Sequence, residues 1–213
     1  MKRVVLVLFL FGMAAALFAQ VQLPEYHFAS GNWALTGERL YQNDAGARLA
    51  KVNIQASQNG AMVYEFDARY ENGAEDGHGG FGLHIFEDVA YNRASWGAGN
   101  SYLLWLNYDE NPLSKDISKG LSAQLYRSRT NSRMDLVQNY DLNRYVNFLT
   151  DENLANPVHF KIITDGDSGE VRIYDPTEDG SVYYALYIDQ KDLPLKGNWV
   201  SLRTNGMRMS FTN

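Results

Sequence analysis

The feature that most constrains the fold of this chain is a recurring alternation of apolar and polar residues, interrupted by turn-forming residues. In the run 61–73, Met62 and Tyr64 fall on one side of an extended chain, whereas Glu65 and Asp67 fall on the other. Such period-two alternation is typical of a β-strand with one buried face, and roughly ten short runs show it. The pattern therefore predicts an all-β protein, built as a two-sheet antiparallel sandwich or a barrel.

One segment departs from the alternation and predicts a short helix inserted between strands. Asp141 can cap a helix, and proline at position 157 ends the pattern. Apolar residues recur between them at helical spacing: Leu142, Tyr145, Val146 and Leu149. The helix either covers a binding groove or packs over an open end of the sandwich.

The first nineteen residues predict a secretory signal peptide, residues 1–19. Lys2 and Arg3 precede an apolar run over 4–17, and small residues end at Ala19, although cleavage after Ala16 is a rival. The run is shorter than the ~20 apolar residues that a spanning helix needs, so we expect no membrane span. Residues 20–213 show no break in composition and are expected to form a single domain in an exported protein, periplasmic or extracellular.

The composition limits which cellular compartments and which classes of partner are expected. The chain has no cysteine, so its stability must come from burial, which favours a bacterial periplasm or exterior over an animal extracellular module. The formal net charge of −6 disfavours nucleic acid and anionic lipid as partners. Arg127, Arg129 and Arg133 form the one basic cluster, which is either a solvated loop or a local site for an anionic group.

Six phrases, taken in order along the chain, resemble the concanavalin A-like lectin/glucanase superfamily, in particular its laminin G-like and 3-keto-disaccharide hydrolase-like bacterial members. The phrases are RLYQND, YEFDARYENG, GGFGLHIF, SYLLWLNYD, VHFKIITDGDSGEVRIY and GNWVSLRTNGMRMSFTN. The resemblance covers about the whole chain after the signal peptide. It implies a jelly-roll β-sandwich of two curved sheets, with any ligand on the concave sheet or in the loops at its edge.

Under this implied geometry, the polar faces of adjacent central strands line the concave side together. The candidate ligand-binding residues are Glu65, Asp67, His84, Trp105, Asn107, Gln124 and Tyr126, with Arg69 on the same face as the first two. Aromatic rings stack on sugars, and amides and carboxylates bond their hydroxyl groups. A structural role stays open for two of these residues. His84 is then a partly buried imidazole bonded to a neighbouring strand, and Trp105 packs under the helix or a long loop.

The same stretch raises the question of catalysis. Catalytic members of the superfamily carry Glu-x-Asp followed by a second Glu after one or two residues, whereas here three residues separate Asp67 from Glu71. Glu71 then lies roughly 13 Å beyond Asp67 at strand rise, too far for the pair of a retaining glycosidase unless the strand bends. We therefore assign no catalytic residue. If the protein is an enzyme, a glycoside hydrolase is the expected class.

No cofactor is expected, because no glycine-rich phosphate loop joins a strand to a helix. The four histidines show no metal-ligand spacing. A structural calcium ion stays an alternative, because acidic residues cluster in two turns. These are Asp165, Asp167 and Glu170, and Asp175, Glu178 and Asp179.

Three functions remain after this reasoning. The favoured one is a non-catalytic, lectin-like carbohydrate-binding protein of the bacterial cell envelope, with a glycan or an envelope protein as its partner. The second is a structural or assembly protein of the periplasm or cell surface, such as a sheath or filament component, which would self-associate. The third is a glycan hydrolase.

Overall fold

The computed structural model describes residues 25–143, 156–175 and 180–212, and these form fourteen strands. The first seven are β1 Tyr26–Ser30, β2 Trp33–Thr36, β3 Arg39–Gln42, β4 Ala50–Asn59, β5 Ala61–Gly73, β6 His78–Glu87 and β7 Ser101–Asp109. The others are β8 Gly120–Ser128, β9 Met134–Asp141, β10 Val158–Asp165, β11 Glu170–Tyr174, β12 Val182–Tyr187, β13 Lys196–Asn205 and β14 Met207–Thr212. One 3₁₀ turn, Gln190–Asp192, precedes β13.

The strands form two sheets of seven, and every neighbouring pair is antiparallel. Sheet A has the order β1-β4-β13-β6-β7-β8-β9, and sheet B has the order β12-β11-β10-β5-β14-β3-β2. The prediction of an all-β, two-sheet antiparallel sandwich is confirmed. Each of the two last strands lies in the middle of one sheet. In sheet A, β13 lies between β4 and β6, and in sheet B, β14 lies between β5 and β3.

Two sequence predictions fall on parts of the chain outside the described residues. They are the signal peptide at 1–19 and most of the inserted helix, since residues 144–155 are not described. Leu142, the first apolar residue of that pattern, is buried in the core directly after β9. Among the described residues, no helix is both long enough and apolar enough to cross a membrane.

The core lies between the inner faces of the two sheets. Phe81 of sheet A contacts Phe160 and Phe211 of sheet B, with ring centroids 5.5 and 6.0 Å apart. Phe66 stacks on Phe160 in the neighbouring strand at 5.5 Å. Each fully buried aromatic or aliphatic side chain stabilises the fold by roughly 1.5–3 kcal/mol, so this alternating inner stripe holds the sheets together.

The outer face of sheet A differs from the simple pattern. Every residue of β6 after His78 is buried, on both faces of the strand. The outer face is covered by the connection 88–100, which joins β6 to β7. The alternation predicts strands with one buried face, but at the centre of sheet A both faces are buried.

Candidate functional site

A row of residues crosses the outer face of sheet A in direct register, one from each of six strands. In strand order the row is Lys51, Arg203, Gly82, Trp105, Gln124 and Asn139. The adjacent row contains Asn53, Ser201, His84, Leu103 and Tyr126. We call this outer surface the polar face of sheet A. It contains five of the seven predicted ligand-binding residues.

Glycines in β6 make room for the indole of Trp105. A Cβ atom on Gly80 would lie 2.6 Å from Cε2 of Trp105, closer than carbon atoms can approach. Gly82 lies between Arg203 and Trp105 in the row, and the guanidinium carbon of Arg203 is 5.8 Å from the indole centroid. The glycine pattern in the GGFGLHIF phrase thus allows a cation–π contact across one strand.

The connection 88–100 is fixed to the polar face by hydrogen bonds from the sheet. Lys51 Nζ donates to Ser95 Oγ at 3.0 Å, and Asn53 Nδ2 donates to Asn92 Oδ1 at 2.8 Å. Lys51 and Asn53 are both fully buried beneath it. The connection is therefore an ordered cover over β4, β13 and β6.

Trp96 lies at the outer surface of this cover, with 53% of its surface exposed. Its ring centroid is 5.4 Å from the guanidinium carbon of Arg203, and its carbonyl accepts a hydrogen bond from that guanidinium. Arg203, which is fully buried, thus lies between Trp96 and Trp105. Burial lowers the pKa of Arg203 to about 10, so the group is still charged at neutral pH.

Glu87 and Lys51 provide two further buried charges. Glu87 Oε2 accepts a hydrogen bond of 2.5 Å from Ser201, and burial raises the pKa of this carboxyl despite that bond. Burial lowers the pKa of Lys51 to about 8, with Glu87 opposing the shift and Arg203 adding to it. Two cations and one carboxyl group therefore lie beneath the cover of an acidic protein.

His84 lies at the centre of the face and is completely buried. Its Nδ1 is 3.1 Å from Ser101 Oγ, and its Nε2 is 3.2 Å from an Arg203 nitrogen. Burial, helped by the charges of Arg203 and Lys51, holds the pKa of His84 well below its ordinary value. The imidazole is thus neutral at pH 7, and its contacts with Ser101 and Arg203 link β6 to β7 and β13 beneath the cover.

Trp105, Asn107, Gln124 and Tyr126 form a connected group on the same face. Trp105 Nε1 donates to Asn107 Oδ1 at 3.1 Å, and the Tyr126 hydroxyl donates to Gln124 Oε1 at 2.8 Å. Trp105 and Gln124 are buried, whereas Asn107 and Tyr126 are partly exposed. Among the described residues, Asn107 Nδ2 is buried and has no hydrogen-bond partner, so this amide donor is unsatisfied.

Glu65 and Asp67 do not lie with the other five predicted residues. They belong to β5 in sheet B, where His159 of β10 is between them: its Nδ1 is 2.7 Å from Asp67 and its Nε2 is 3.0 Å from Glu65. The prediction that all seven side chains share one face is wrong for these two. Alternation indicates which face of a strand is polar, but it does not indicate which sheet the strand joins.

Arg69 and Glu71, farther along β5, are also engaged with neighbours. Arg69 Nη2 is 2.7 Å from Glu71 Oε1, and Ser210 of β14 donates to the same oxygen at 2.6 Å. Burial acts to raise the pKa of Glu71, but the hydrogen bonds from Ser210 and Arg69 outweigh it, and the pKa is lowered. Glu71 is therefore a structural carboxylate that stays ionised.

The three arginines of the basic cluster pair with two carboxylates. Arg127 Nη1 is 2.6 Å from Asp192 Oδ2, Arg129 pairs with Asp135, and Arg133 lies 3.5 Å from the other oxygen of Asp135. The three arginines therefore do not form one free cationic surface.

The first of the two predicted calcium turns is a closed hydrogen-bonded turn. Asp165 accepts from the backbone of Asp167 at 2.9 Å and from the hydroxyl of Ser168 at 2.8 Å. In the second turn, residues 176–179 lie outside the described part of the chain. Within the described part, no group of three or more acidic or histidine side chains is placed to hold a metal ion.

Sequence reasoning missed four residues of the polar face. They are Lys51, Glu87, Trp96 and Arg203. Extending the alternation of β4 and β13 to the same outer face would have found Lys51 and Arg203, because both lie in register with Gly82 and Trp105. Trp96 lies in an irregular connection that has no periodic signal.

Comparison with known proteins supports the fold without giving a family. No protein-family model matches the sequence, and no curated protein matches it. A solved structure described as a protein of unknown function with a galectin-like fold, from Bacillus subtilis, is similar with a TM-score of 0.55 and 15% identity, over 88% of this chain and 86% of that chain. The CBM2 module of the evolved Dit of Lactobacillus casei BL23 phage J-1 is similar with a TM-score of 0.50 and 13% identity, over 86% and 77%. At these identities the likeness shows the fold alone, which is a lectin-like jelly-roll β-sandwich.

Proposed function

We propose that this protein is an exported, non-catalytic carbohydrate-binding protein of the bacterial cell envelope, with a concanavalin A-like fold. The observation that carries the proposal is Trp96. Its indole is exposed and is held in place by the buried guanidinium of Arg203, which also contacts Trp105. A fixed, exposed aromatic ring is the group on which the C–H face of a sugar stacks.

One further group of the polar face suits hydroxyl recognition. Tyr126 is partly exposed, and its hydroxyl is oriented by Gln124, whereas the Asn107 Nδ2 donor that has no partner is buried and is not open to a ligand. Hydroxyl groups both donate and accept hydrogen bonds, as sugar hydroxyls do. We expect Trp96 to supply the stacking surface and Tyr126 to supply a polar contact.

The carboxylates that the sequence offered for hydrolysis have other roles, which favours binding without cleavage. Glu65 and Asp67 both contact His159, and Glu71 pairs with Arg69. A glycosidase needs a general acid with a raised pKa beside a second carboxylate. The lowered pKa of Glu71 is the opposite of that requirement.

The test is a glycan array probed with the wild type, Trp96→Ala and Tyr187→Ala, each with and without calcium. Tyr187 is the matched control, because it is an aromatic residue of similar exposure, 56%, on β12 of sheet B. We expect the wild type and Tyr187→Ala to bind the same glycans. Trp96→Ala should bind them at least tenfold more weakly, since it removes a stacking contact without opening the core.

Two results would contradict the proposal. One is a folded wild type that binds no glycan in either buffer. The other is equal binding by Trp96→Ala and the wild type, which would remove the polar face of sheet A as the binding surface. Circular dichroism of each variant establishes that it is folded.

A further inference from the structure

A concave site lies at the end of the sandwich, where β6 ends, β7 begins and the connection from β12 to β13 passes over them. We call it the end cleft, and its volume is about 260 Å³. The residues that line it and matter here are Phe86, Asn100, Tyr102, Arg127, Asp192 and Lys196. Sites for drug-sized ligands have volumes of ~300–1,000 Å³, so this cleft fits one smaller molecule.

One wall of the cleft is a fixed charged group. Asp192 Oδ2 is 2.6 Å from Arg127 Nη1 and accepts a 2.6 Å hydrogen bond from the hydroxyl of Tyr102. The side chains of Arg127 and Asp192 are 19% and 9% exposed, so the pair is largely shielded from water. Arg127 Nε is buried and has no hydrogen-bond partner among the described residues. The charge of the guanidinium is therefore balanced, and only its exposed part, not the buried Nε, is open to the cleft.

Lys196 carries the one charge among the described lining residues that has no opposite charge paired with it. Its side chain is exposed, and within the described ranges it forms no ion pair. Because Asp192 already balances Arg127, the cleft has one uncompensated positive charge. A ligand with a single negative charge would neutralise it, whereas a phosphate dianion would leave an excess.

The backbone of Phe86, which also lines the cleft, is strained. Phe86 has φ +54°, a left-handed conformation that is rare for a residue with a bulky side chain. Gln58 holds this residue in place, since its Oε1 accepts a 2.7 Å hydrogen bond from the Phe86 amide. Strained residues held by their surroundings are concentrated at ligand sites, so this outlier and the unpaired charge point to the same place.

We infer that the end cleft binds a small monocarboxylate, with the ammonium of Lys196 and the guanidinium of Arg127 facing its carboxylate. Carboxylates form short, charge-assisted hydrogen bonds with both groups. The exposed side chain of Asn100 offers a further polar contact to the rest of the ligand. This site is separate from the surface around Trp96, and it does not depend on carbohydrate binding there.

The test is a titration of the ¹⁵N-labelled protein with sodium glucuronate, sodium acetate, glucose and inorganic phosphate, followed by amide and indole NMR shifts. We expect glucuronate to shift the amides of Phe86, Asn100 and Lys196, and glucose to leave them unchanged. If acetate shifts the same amides, the carboxylate alone is sufficient for binding. If glucuronate shifts them and acetate does not, the ligand is a sugar acid.

Lys196→Gln should raise the Kd for glucuronate at least fivefold, because it removes the unpaired charge and keeps a polar side chain that is only one atom shorter. Lys191→Gln is the matched control, since Lys191 lies on the same connection but pairs with Asp189 and does not line the cleft. Its Kd should stay within twofold of the wild type.

The inference is overturned if neither carboxylate shifts these amides, if glucose or phosphate shifts them as strongly, or if Lys196→Gln binds as the wild type does. Shifts confined to the Trp96 indole would overturn the cleft and leave the carbohydrate proposal intact. Shifts confined to the cleft would support the cleft, and the glycan array would still decide the carbohydrate proposal.

Discussion

At the scale of single residues, two glycines of β6 determine how the side chains of the polar face pack, because neither has a side chain. The indole of Trp105 lies where a Cβ at Gly80 would be, and Arg203 reaches the indole across Gly82. Neither glycine has a positive φ, so their role is space and not backbone freedom. A larger residue at either position would separate the cation from the ring.

We predict that Gly80→Ala lowers the free energy of unfolding by about 1–3 kcal/mol, because the new methyl group overlaps Trp105 and overpacking costs this much. Gly46→Ala is the control, since its nearest neighbour is only the Asp44 carboxylate at 3.3 Å. Urea unfolding at pH 7 measures both. Equal stability of Gly80→Ala and the wild type would show that Trp105 is free to move aside.

The His159 group gives a residue-scale prediction about pH. The hydrogen bond to Asp67, with that to Glu65, raises the pKa of His159, although desolvation opposes the shift. A histidine with a raised pKa contributes stability below its unfolded value of about 6.5, and the contribution is lost as pH rises through the folded value. We expect His159→Gln to be destabilising at pH 5.5 and nearly neutral at pH 8.

The expected difference between the two pH values is only roughly 0.3–0.5 kcal/mol, because the imidazole is 52% exposed and solvent screens the pair. Chemical unfolding at both pH values measures it. In an Asp67→Asn background most of the difference should disappear. A larger loss at pH 8 than at pH 5.5 would reverse the assigned sign.

At the scale of elements, the connection 88–100 controls access to sheet A. Its polar contacts with Lys51 and Asn53 bury one charged and one neutral polar side chain that strands alone would leave exposed. An element held by buried polar contacts is sensitive to the ionisation of those contacts. The stability of the cover and the pH of the solution are therefore linked.

We predict that this link is measurable with Lys51→Met. Burial lowers the pKa of Lys51 to about 8, against about 10.4 in an unfolded chain. The unfolded state then binds more protons between these values, so the stability of the wild type relative to Lys51→Met should rise from pH 8 to pH 10, by about 1–2 kcal/mol. Thermal unfolding of both proteins across this range tests it, and a flat or falling difference would contradict the burial of this charge.

At the scale of the whole molecule, the sequence predicted the architecture better than the site. Alternation, with the strand adjacency that the resemblance implies, placed His84, Trp105, Asn107, Gln124 and Tyr126 on one face correctly, because their strands are consecutive and pair with their sequence neighbours. It failed where position depends on distant pairing. β5 joins sheet B beside β10, and the cover over sheet A is an irregular segment, so neither has a local signal.

The position of the two last strands has a consequence for biosynthesis. β13 completes the centre of sheet A, and β14 completes the centre of sheet B, yet both lie within residues 196–212. While these residues are still inside the ribosome, β4 has no bond to β6, and β5 has no bond to β3. Domains usually begin to fold as their N-terminal parts emerge, but this domain cannot complete either sheet until residues 196–212 have emerged. A chaperone that binds exposed apolar strands therefore has the time needed to translate residues 26–195 in which to hold it.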